Sequence, residues 1–461
     1  GGFDGEFMIV QSNGGVMAVD TACRLPVRTA LSGPAAGVIA AGYIAETAGF
    51  PNIITGDMGG TSFDVSLIAG GQSILSPQTS IDFGMVVSTP MIEITTIGAG
   101  GGSIAWVDKG GLLNIGPESA GSTPGPVAYG LGNTRPTVTD ANVVLGRIDP
   151  DNPIGGKLDR LDVEAAAAAI DEHVGQPLGL TTLEAAEAIL TVANSRMAGA
   201  IRLVSIERGF DPKKFAFMPF GGGGALHTGA MLDDVGLGRA IVPRYPGVTS
   251  AMGCVIADMR QDFVQTINAF VDQIDEDALA GFLQDHVDRG HALLDAARSS
   301  FEARDVLVEL DMAYLGQTHT VAVPIEVTIA GGKVTAPTRA QIAEAFDTAY
   351  RATYGRLLDK GVRRIMNLRT AVVGRRPKFD LATLAPEAGT VEAALKGTRQ
   401  VHFGSQWHET AIYDRLALPV EAVIDGPAIL EQPDTTVLVD PGLRATVDRY
   451  GNTIIERAEA G

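Results

Sequence analysis

Apolar residues along the chain change their spacing several times, and each change marks an element. Small and apolar residues dominate from Ser32 to Gly49, where Pro34 suits a first helical turn and Gly49 an end. This predicts a helix capped by Ser32. Ile53-Ile54-Thr55 and Val65-Ser66-Leu67-Ile68 are short β-type runs on either side of a Gly-Gly turn, the pattern of a hairpin. Glycine and proline then break every apolar run between Ile97 and Gly132, which predicts loops and short strands. Alanine-rich 162–174 and the longer 182–208 read as helices. Thr181 and Glu184 have capping-box spacing, and Leu190, Met197, Ile201 and Val204 share one face. Phe215–Met218 reads as a buried strand entering Gly221–Gly224. Beyond about Asp262, more charged helices (275–303 and 338–356) alternate with strands such as Val306–Met312 and 320–327. A linker near Pro377–Pro386 precedes short strands set between Gly/Pro turns. The expected division is a first domain over 1–262, an α+β domain over 263–385 and a small all-β module over 386–461.

Composition narrows the class. The 461 residues are 45% hydrophobic and 19% charged, which excludes a disordered chain. The 57 glycines follow no three-residue period, so they mark turns and close backbone approaches and not collagen. Asp+Glu total 54 against Lys+Arg 35, a formal charge of -19. Such a chain is a poor binder of nucleic acid or anionic membranes. No apolar run reaches the ~20 residues of a membrane helix. Cys23 and Cys254 cannot form a disulfide framework and are expected as buried small groups in a reducing, cytoplasmic setting. The histidines lack metal-site spacing, and His286 and His291 are expected to be solvated. Trp106 and Trp407 are expected to serve packing.

The sharpest chemical signal is the run Asp57-Met-Gly-Gly-Thr-Ser-Phe-Asp64. Glycines let backbone N–H groups converge on an anion, and Thr61 and Ser62 add hydroxyl donors. Asp57 and Asp64 suit hydrated Mg²⁺, which takes carboxylates plus waters. The run reads as a phosphate loop, with Gly59 and Gly60 at its turn; the plainer alternative is a hairpin with solvated acids. A second signal is Phe220-Gly-Gly-Gly-Gly-Ala-Leu-His227, between an apolar strand and a helix-like run. Gly221, Gly222, Gly223 and Gly224 there allow a flat ligand to lie against backbone. His227 either contacts that ligand or caps and packs. A third is Gly98-Ala-Gly-Gly-Gly-Ser103, in which Gly100, Gly101 and Gly102 either cover a ligand or pass tightly beneath other backbone. Asp140, in Thr139-Asp140-Ala-Asn142, belongs to a site or caps a helix.

The Asp57–Asp64 loop resembles the second phosphate motif of actin-like ATPases, and Gly221–Gly224 resembles their adenosine motif. Over nearly the whole chain the sequence resembles the hydantoinase A/5-oxoprolinase family, which includes the corresponding subunits of acetone and acetophenone carboxylases. The matching stretches include Gln11–Gly15, Arg28–Gly37, Asp57–Val65, Gly98–Ala105, Gly116–Gly121, Thr137–Asn142, Ala200–Gly209, Phe220–His227 and Gly426–Gln432. Departures from the family's usual residues fall at Thr95, where it often has His, at Ala128, where it often has Cys, and at Gly222-Gly-Gly-Ala225. No thiol can act at Ala128.

The resemblance implies an α/β fold: an actin-like (ribonuclease-H-like) ATPase lobe, an α+β segment and the β-rich module. It implies ATP with Mg²⁺ (or Mn²⁺), with Asp57 and Asp64 as metal ligands and, with Thr61, as catalytic residues. Gly59, Gly60, Thr61, Ser62, Gly221–Gly224 and His227 would hold the nucleotide, while Gly100–Gly102 and Asp140 would meet substrate or loop. The implied activity is ATP-dependent opening of a cyclic amide (a hydantoin, 5-oxoproline or a lactam) through carbonyl phosphorylation. Its partner would be a hydantoinase-B-like subunit. The family's first phosphate motif precedes the segment matched here, so a further polypeptide is expected to supply that lobe if the chain is complete. Alternatives are a carboxylase subunit acting on a ketone and a nucleotide-gated scaffold.

Overall fold

The computed structural model describes residues 4–76, 79–81, 85–87, 89–156, 158–358 and 361–458. The chain makes two compact units, each from two stretches: Gly1–Ala30 with Ile256–Lys378, and Leu31–Val255 with Phe379–Gly461. These contact units interleave stretches from either side of the boundaries expected at 262/263 and 385/386. The first of those boundaries falls inside the strand Met259–Phe270. That strand pairs with Val16–Ala18 on one side and with Arg363–Arg375 on the other, which ties the early residues to the middle of the chain.

The first unit is a six-stranded sheet in the order Met8–Val10, Val16–Ala18, Met259–Phe270, Arg363–Arg375, Ala303–Tyr314, Val321–Ile325. Helices Glu276–Ala296 and Arg339–Tyr354 bury Leu279, Leu283, Ile342 and Phe346 against Val308, Leu310, Ile365 and Leu368. His286 belongs to this packing and is not solvated. Its ring stacks on Phe263 at 5.1 Å and its Nδ1 meets the Thr370 hydroxyl at 3.0 Å.

The second unit carries the main sheet. Its order begins Thr95–Ile97, Phe63–Ala69, Ile53–Met58, Ala216–Phe220, Arg239–Val242. Each of the first three strands is antiparallel to its neighbour, while Ala216–Phe220 and Arg239–Val242 run parallel to Ile53–Met58 and to each other. Alternation along the strands covers both faces. Ile53, Ile68, Met218 and Phe220 meet helix Ser32–Thr47 through Ala35, Val38 and Ile44. Ile54, Leu67 and Phe217 meet helix Thr182–Val204 through Ile189 and Met197. Each such fully buried large side chain contributes roughly 1.5–3 kcal/mol.

The segment expected as a separate C-terminal module is all-β but is not separate. Thr453–Arg457 pairs with Arg239–Val242, and Leu443–Val447 and Val423–Asp425 continue the main sheet outward. The remaining strands, Leu395–Phe403, Gln406–Asp414, Ala428–Gln432 and Thr435–Val439, form a four-stranded sheet. It packs Val401, Ile412, Ile429 and Leu438 against Ile148, Leu161 and Leu226.

Local signals fare well. Thr181 and Glu184 make both bonds of the capping box. Asp162 caps Val163–Ile170, after which the chain continues as a π-turn over Asp171–Gly175. Ser32 does not cap its helix: Leu31, in the left-handed region at φ 59°, holds the cap position without a side-chain bond. Helix 182–208 is long and apolar enough to cross a membrane on length and composition, contrary to the expectation from single runs, but half its most apolar stretch is buried in the unit. Cys23 and Cys254 are exposed and not buried. Trp106 and Trp407 are also largely exposed, at 41% and 48%.

Candidate functional site

The hairpin Ile53–Met58/Phe63–Ala69 has a register that sets Asp57 directly opposite Asp64. Cross-strand neighbours lie within about 5.5 Å at Cβ, so the two carboxylates share one face at the turn end of the hairpin. Burial first, and the charge of Asp64 next, push the Asp57 carboxyl up to about 6. A hydrogen bond donated by the Ser250 hydroxyl, 3.4 Å from Asp57 Oδ2, pulls the other way. Asp64 is also raised, chiefly by burial, with the Thr96 and Ser62 hydroxyls opposing. Ser62 Oγ stands 3.5 Å from Asp64 Oδ2, while Asp64 Oδ1 is buried with no hydrogen-bond partner. Two opposed, half-desolvated carboxylates with one orphaned oxygen fit a divalent cation that completes its shell with water and phosphate oxygens. Among the described residues no cluster of three or more His, Cys, Asp or Glu could hold a metal by itself.

The four-residue turn Gly59–Ser62 links these acids, and the Gly100–Gly102 loop lies against it. A Cβ on Gly100 would stand 2.6–2.7 Å from backbone atoms of Gly60, Thr61 and Ser62, so only glycine allows the approach. Gly101 N–H donates to Gly59 O at 3.0 Å and Gly102 N–H donates to Gly60 O at 2.6 Å. These amides are occupied by the turn. The loop therefore braces the phosphate-type turn from below, the close-passage alternative of the sequence reading; of the three glycines, Gly101 also reaches a cavity wall.

Strand Ala216–Phe220 runs parallel to Ile53–Met58 with Phe220 beside Asp57, which delivers Gly221 to the acid. Gly221 has φ 78°, and a Cβ there would meet Asp57 Oδ1 and Met58 O at 2.5 Å. The helical run begins here, passes Gly224 and His227, and continues as Thr228–Val235. Thr435, from the four-stranded sheet, donates its hydroxyl to Gly222 O at 3.3 Å. The C-terminal segment thus buttresses the glycine turn.

Behind the turn lies a cavity of about 230 Å³. Its walls include Gly59, Gly60, Gly222 and Gly223 at one end and Ile148 and Leu161 among its apolar side chains. His227 lines it and is buried. Its Nδ1 lies 2.6 Å from Asn194 Oδ1. Burial, and secondly the charge of Arg147, lower its pKa to about 3, so the imidazole is neutral.

The structure thus gathers Asp57, Gly59–Ser62, Asp64, Gly100–Gly102 and Gly221–His227. Asp140 takes the loop-contact and capping alternatives of the sequence reading and does not reach the aspartates. It is fully buried at the start of helix Val138–Val144, where it completes a capping box with Thr137. It also accepts from the N–H groups of Val127 and Ala128 at 3.1 and 2.8 Å. With four donors satisfied, it holds its loop in place. Thr95 faces away as well. Thr96 is the residue opposite Asp64, so Thr95 points to the other face of the sheet, beside Leu203, Val204 and Phe210. The sequence reading missed Ser250, Thr96, Asn142 and Asn194. Of these only Asn142, a lone amide inside an apolar helix, left a signal along the chain.

Residues 1–263 match the hydantoinase/oxoprolinase family and residues 286–458 its C-terminal domain. The chain is 34% identical to caprolactamase subunit alpha of Pseudomonas jessenii over 95% of its length and 63% of that protein's. It is 33% identical to the acetophenone carboxylase gamma subunit of Aromatoleum aromaticum over 99% of its length, again covering 63% of the relative. The crystal structure of ATP-dependent caprolactamase from Pseudomonas jessenii superimposes with a TM-score of 0.82 at 33% identity, over 97% of this chain and 65% of that one. Other relatives are named acetone carboxylase beta subunit and 5-oxoprolinase. The chain spans about two thirds of the length of these first relatives, or slightly less. A mixed α/β fold, the opposed aspartates and glycine turns, and matches that together run from residue 1 to residue 458 have one common meaning: the chain belongs to the hydantoinase/oxoprolinase family.

Proposed function

We propose that this chain is the nucleotide-using part of a hetero-oligomeric enzyme that opens a cyclic amide at the cost of ATP. The observation that carries the reading is the Asp57–Asp64 pair, opposed across a hairpin whose turn offers two glycines and two hydroxyls. The second unit is read as one actin-like lobe. An antiparallel trio of strands extended by two strands parallel to its first member is compatible with that reading. In the reaction, the substrate carbonyl oxygen attacks the terminal phosphorus of ATP, a new O–P bond forms, and the bond to the remaining nucleotide breaks. Water then adds at the activated carbon, the ring C–N bond breaks as the nitrogen takes a proton, and a second water hydrolyses the resulting acyl phosphate to carboxylate and free phosphate.

This chain's residues would divide that work. Amides of the Gly59–Ser62 turn and the Thr61 and Ser62 hydroxyls would bind the oxygens of the transferring group. Asp57 and Asp64 would hold Mg²⁺ (or Mn²⁺), whose charge offsets that of the phosphates. Ser250 and Thr96 would orient the two acids, and Gly221–Gly224 would admit the nucleoside against bare backbone. A hydantoinase-B-like partner would supply the hydrolytic half. Relatives named as subunits of caprolactamase and of acetophenone and acetone carboxylases support a multi-subunit enzyme of this kind; a cytoplasmic setting is part of the proposal.

A second reading follows from the nearly equal identity to a carboxylase subunit, 33% against 34%. There the same site would activate a ketone enolate and bicarbonate for carbon–carbon bond formation. Thr95, turned away from the aspartates, does not decide between the two. The test is ATP hydrolysis by the complete assembly with 5-oxoproline, hydantoins and lactams, and separately with ketones plus bicarbonate. Ring-opened product matching ATP consumed is expected. Stimulation only by ketone plus bicarbonate would overturn the hydrolase reading in favour of the carboxylase. Stimulation by neither would leave the nucleotide-gated scaffold.

A further inference from the structure

The stretch Gly426–Gln432 leads into a turn at Pro433 and Asp434, between strands Ala428–Gln432 and Thr435–Val439. A buried cation fixes the start of that turn. Arg415 is 3% exposed. Its Nε donates to Thr453 Oγ1 at 3.1 Å, and its other N–H groups meet the carbonyl oxygens of Val242, Pro243 and Arg244 at 3.0, 2.6 and 2.8 Å and the side-chain oxygen of Gln432. Arginine has only donors, so the amide oxygen of Gln432 must face it and the amide nitrogen must face away. That nitrogen donates to Asp434 Oδ1. Asp434 Oδ2 is left for a second donor, and it accepts from the Gly247 N–H at 2.9 Å. The fit is close: a Cβ on Gly247 would stand 2.7 Å from Asp434 Cβ and Oδ2.

Gly247 belongs to the turn Pro246–Val248, which runs directly into helix Thr249–Ile256. Ser250, on that helix, is the residue whose hydroxyl donates to Asp57 Oδ2 at 3.4 Å. We infer that Asp434 is a positioning residue for Asp57: it holds the entry of this helix through Gly247, so that the Ser250 hydroxyl meets the acid. The inference rests on the reading of Asp57 as a cation ligand and adds to it the residue that aims it. A hydrogen bond at 3.4 Å is near its limit, so a small shift of the helix entry breaks it. The terminal torsion of an aspartate has broad wells, and without the bond the carboxylate is free to turn. The same turn braces the other side of the acid. Thr435 holds Gly222 O at 3.3 Å, one residue beyond the Gly221 that abuts Asp57 Oδ1.

The test titrates Mn²⁺ into the complete assembly and reads the free ion from its paramagnetic resonance signal, so no turnover is needed. Asp57→Asn, the control, should abolish uptake at this site. Ser250→Ala should weaken Mn²⁺ binding about 10-fold. Asp434→Asn offers one acceptor to two donors, so Gly247 or Gln432 loses its bond, and binding should weaken about 5-fold. If Asp434 acts through Ser250, the double variant binds no worse than Ser250→Ala alone. Gln432→Glu keeps an acceptor on Arg415 and removes only the donor to Asp434. It should weaken binding about 3-fold, and it carries the test if Asp434→Asn does not fold. Binding equal to the parent's in Asp434→Asn or Gln432→Glu would overturn the inference and leave the cation site in place. So would a double variant about 50-fold weaker, the product of two independent losses. Uptake that is absent from the parent, or that survives Asp57→Asn, would overturn the cation reading of Asp57 and this inference with it.

Discussion

Gly221 and Asp57 meet without a side chain between them: the point where a Cβ would sit on Gly221 is 2.5 Å from Asp57 Oδ1. The glycine also sits at φ 78°, where other residues are strained. Gly221→Ala should therefore destabilise the protein by about 1–3 kcal/mol and displace the acid, abolishing ATP hydrolysis. Gly222 offers the control. A Cβ there finds nothing nearer than Asp434 O at 3.7 Å, so Gly222→Ala should melt with the parent. Thermal unfolding of both variants alongside hydrolysis assays checks the contrast.

The two aspartates oppose each other in the metal-free protein. Replacing either by its amide removes a half-buried charge and its repulsion. In the presence of a chelator, Asp57→Asn and Asp64→Asn should each raise the melting temperature by about 2 °C. The same variants should lose ATP hydrolysis by ~100-fold or more. A lowered melting temperature would mean that the pair is held by contacts other than a cation.

Asp140 is a structural group, and its removal should show in stability. Asp140→Ala leaves the buried N–H groups of Val127, Ala128 and Thr137 unpaired and should cost about 3 kcal/mol in urea unfolding. Glu184→Ala, which breaks an exposed capping box of the same design, should cost about 1 kcal/mol or less.

His227 makes part of the stability depend on pH. The unfolded chain protonates this imidazole near pH 6.5 and the folded protein only near 3. Between those values the unfolded state binds more protons, so the contribution is complete above pH 6.5 and falls as the pH drops toward 3. The loss is on the order of 5 kcal/mol. Stability measured against pH should be flatter over this window in His227→Gln than in the parent.

What was legible in the sequence was local. The register that opposes Asp57 and Asp64 follows from a short hairpin, whose turn length sets the pairing. The Thr181/Glu184 capping box is three residues long and forms as spaced. The contact of Gly221 with the acid was not legible, since it depends on Ala216–Phe220 pairing beside Ile53–Met58. Asp140 stayed ambiguous because one pattern, an acid three residues after Thr137, serves a site or a cap, and only the approach of residues 127–128 decides. Ser250 could not be found along the chain, since it reaches Asp57 across 193 residues. His286 looked solvated on a charged helix, yet it lies on the face that packs against Phe263 and Thr370. The C-terminal strands have the alternation of a free-standing module, and nothing in that alternation tells which sheet they join.

That last feature has a consequence for biosynthesis. Thr453–Arg457 hydrogen-bonds to Arg239–Val242, a strand made more than two hundred residues earlier. While the intervening chain is being translated, Arg239–Val242 presents an unpaired edge beside the nascent site. Domains otherwise tend to mature in order from the ribosome, but this sheet cannot close until residue 457 has emerged. A nascent chain stalled upstream of Thr453 would therefore carry an adhesive border, a natural target for chaperone capture.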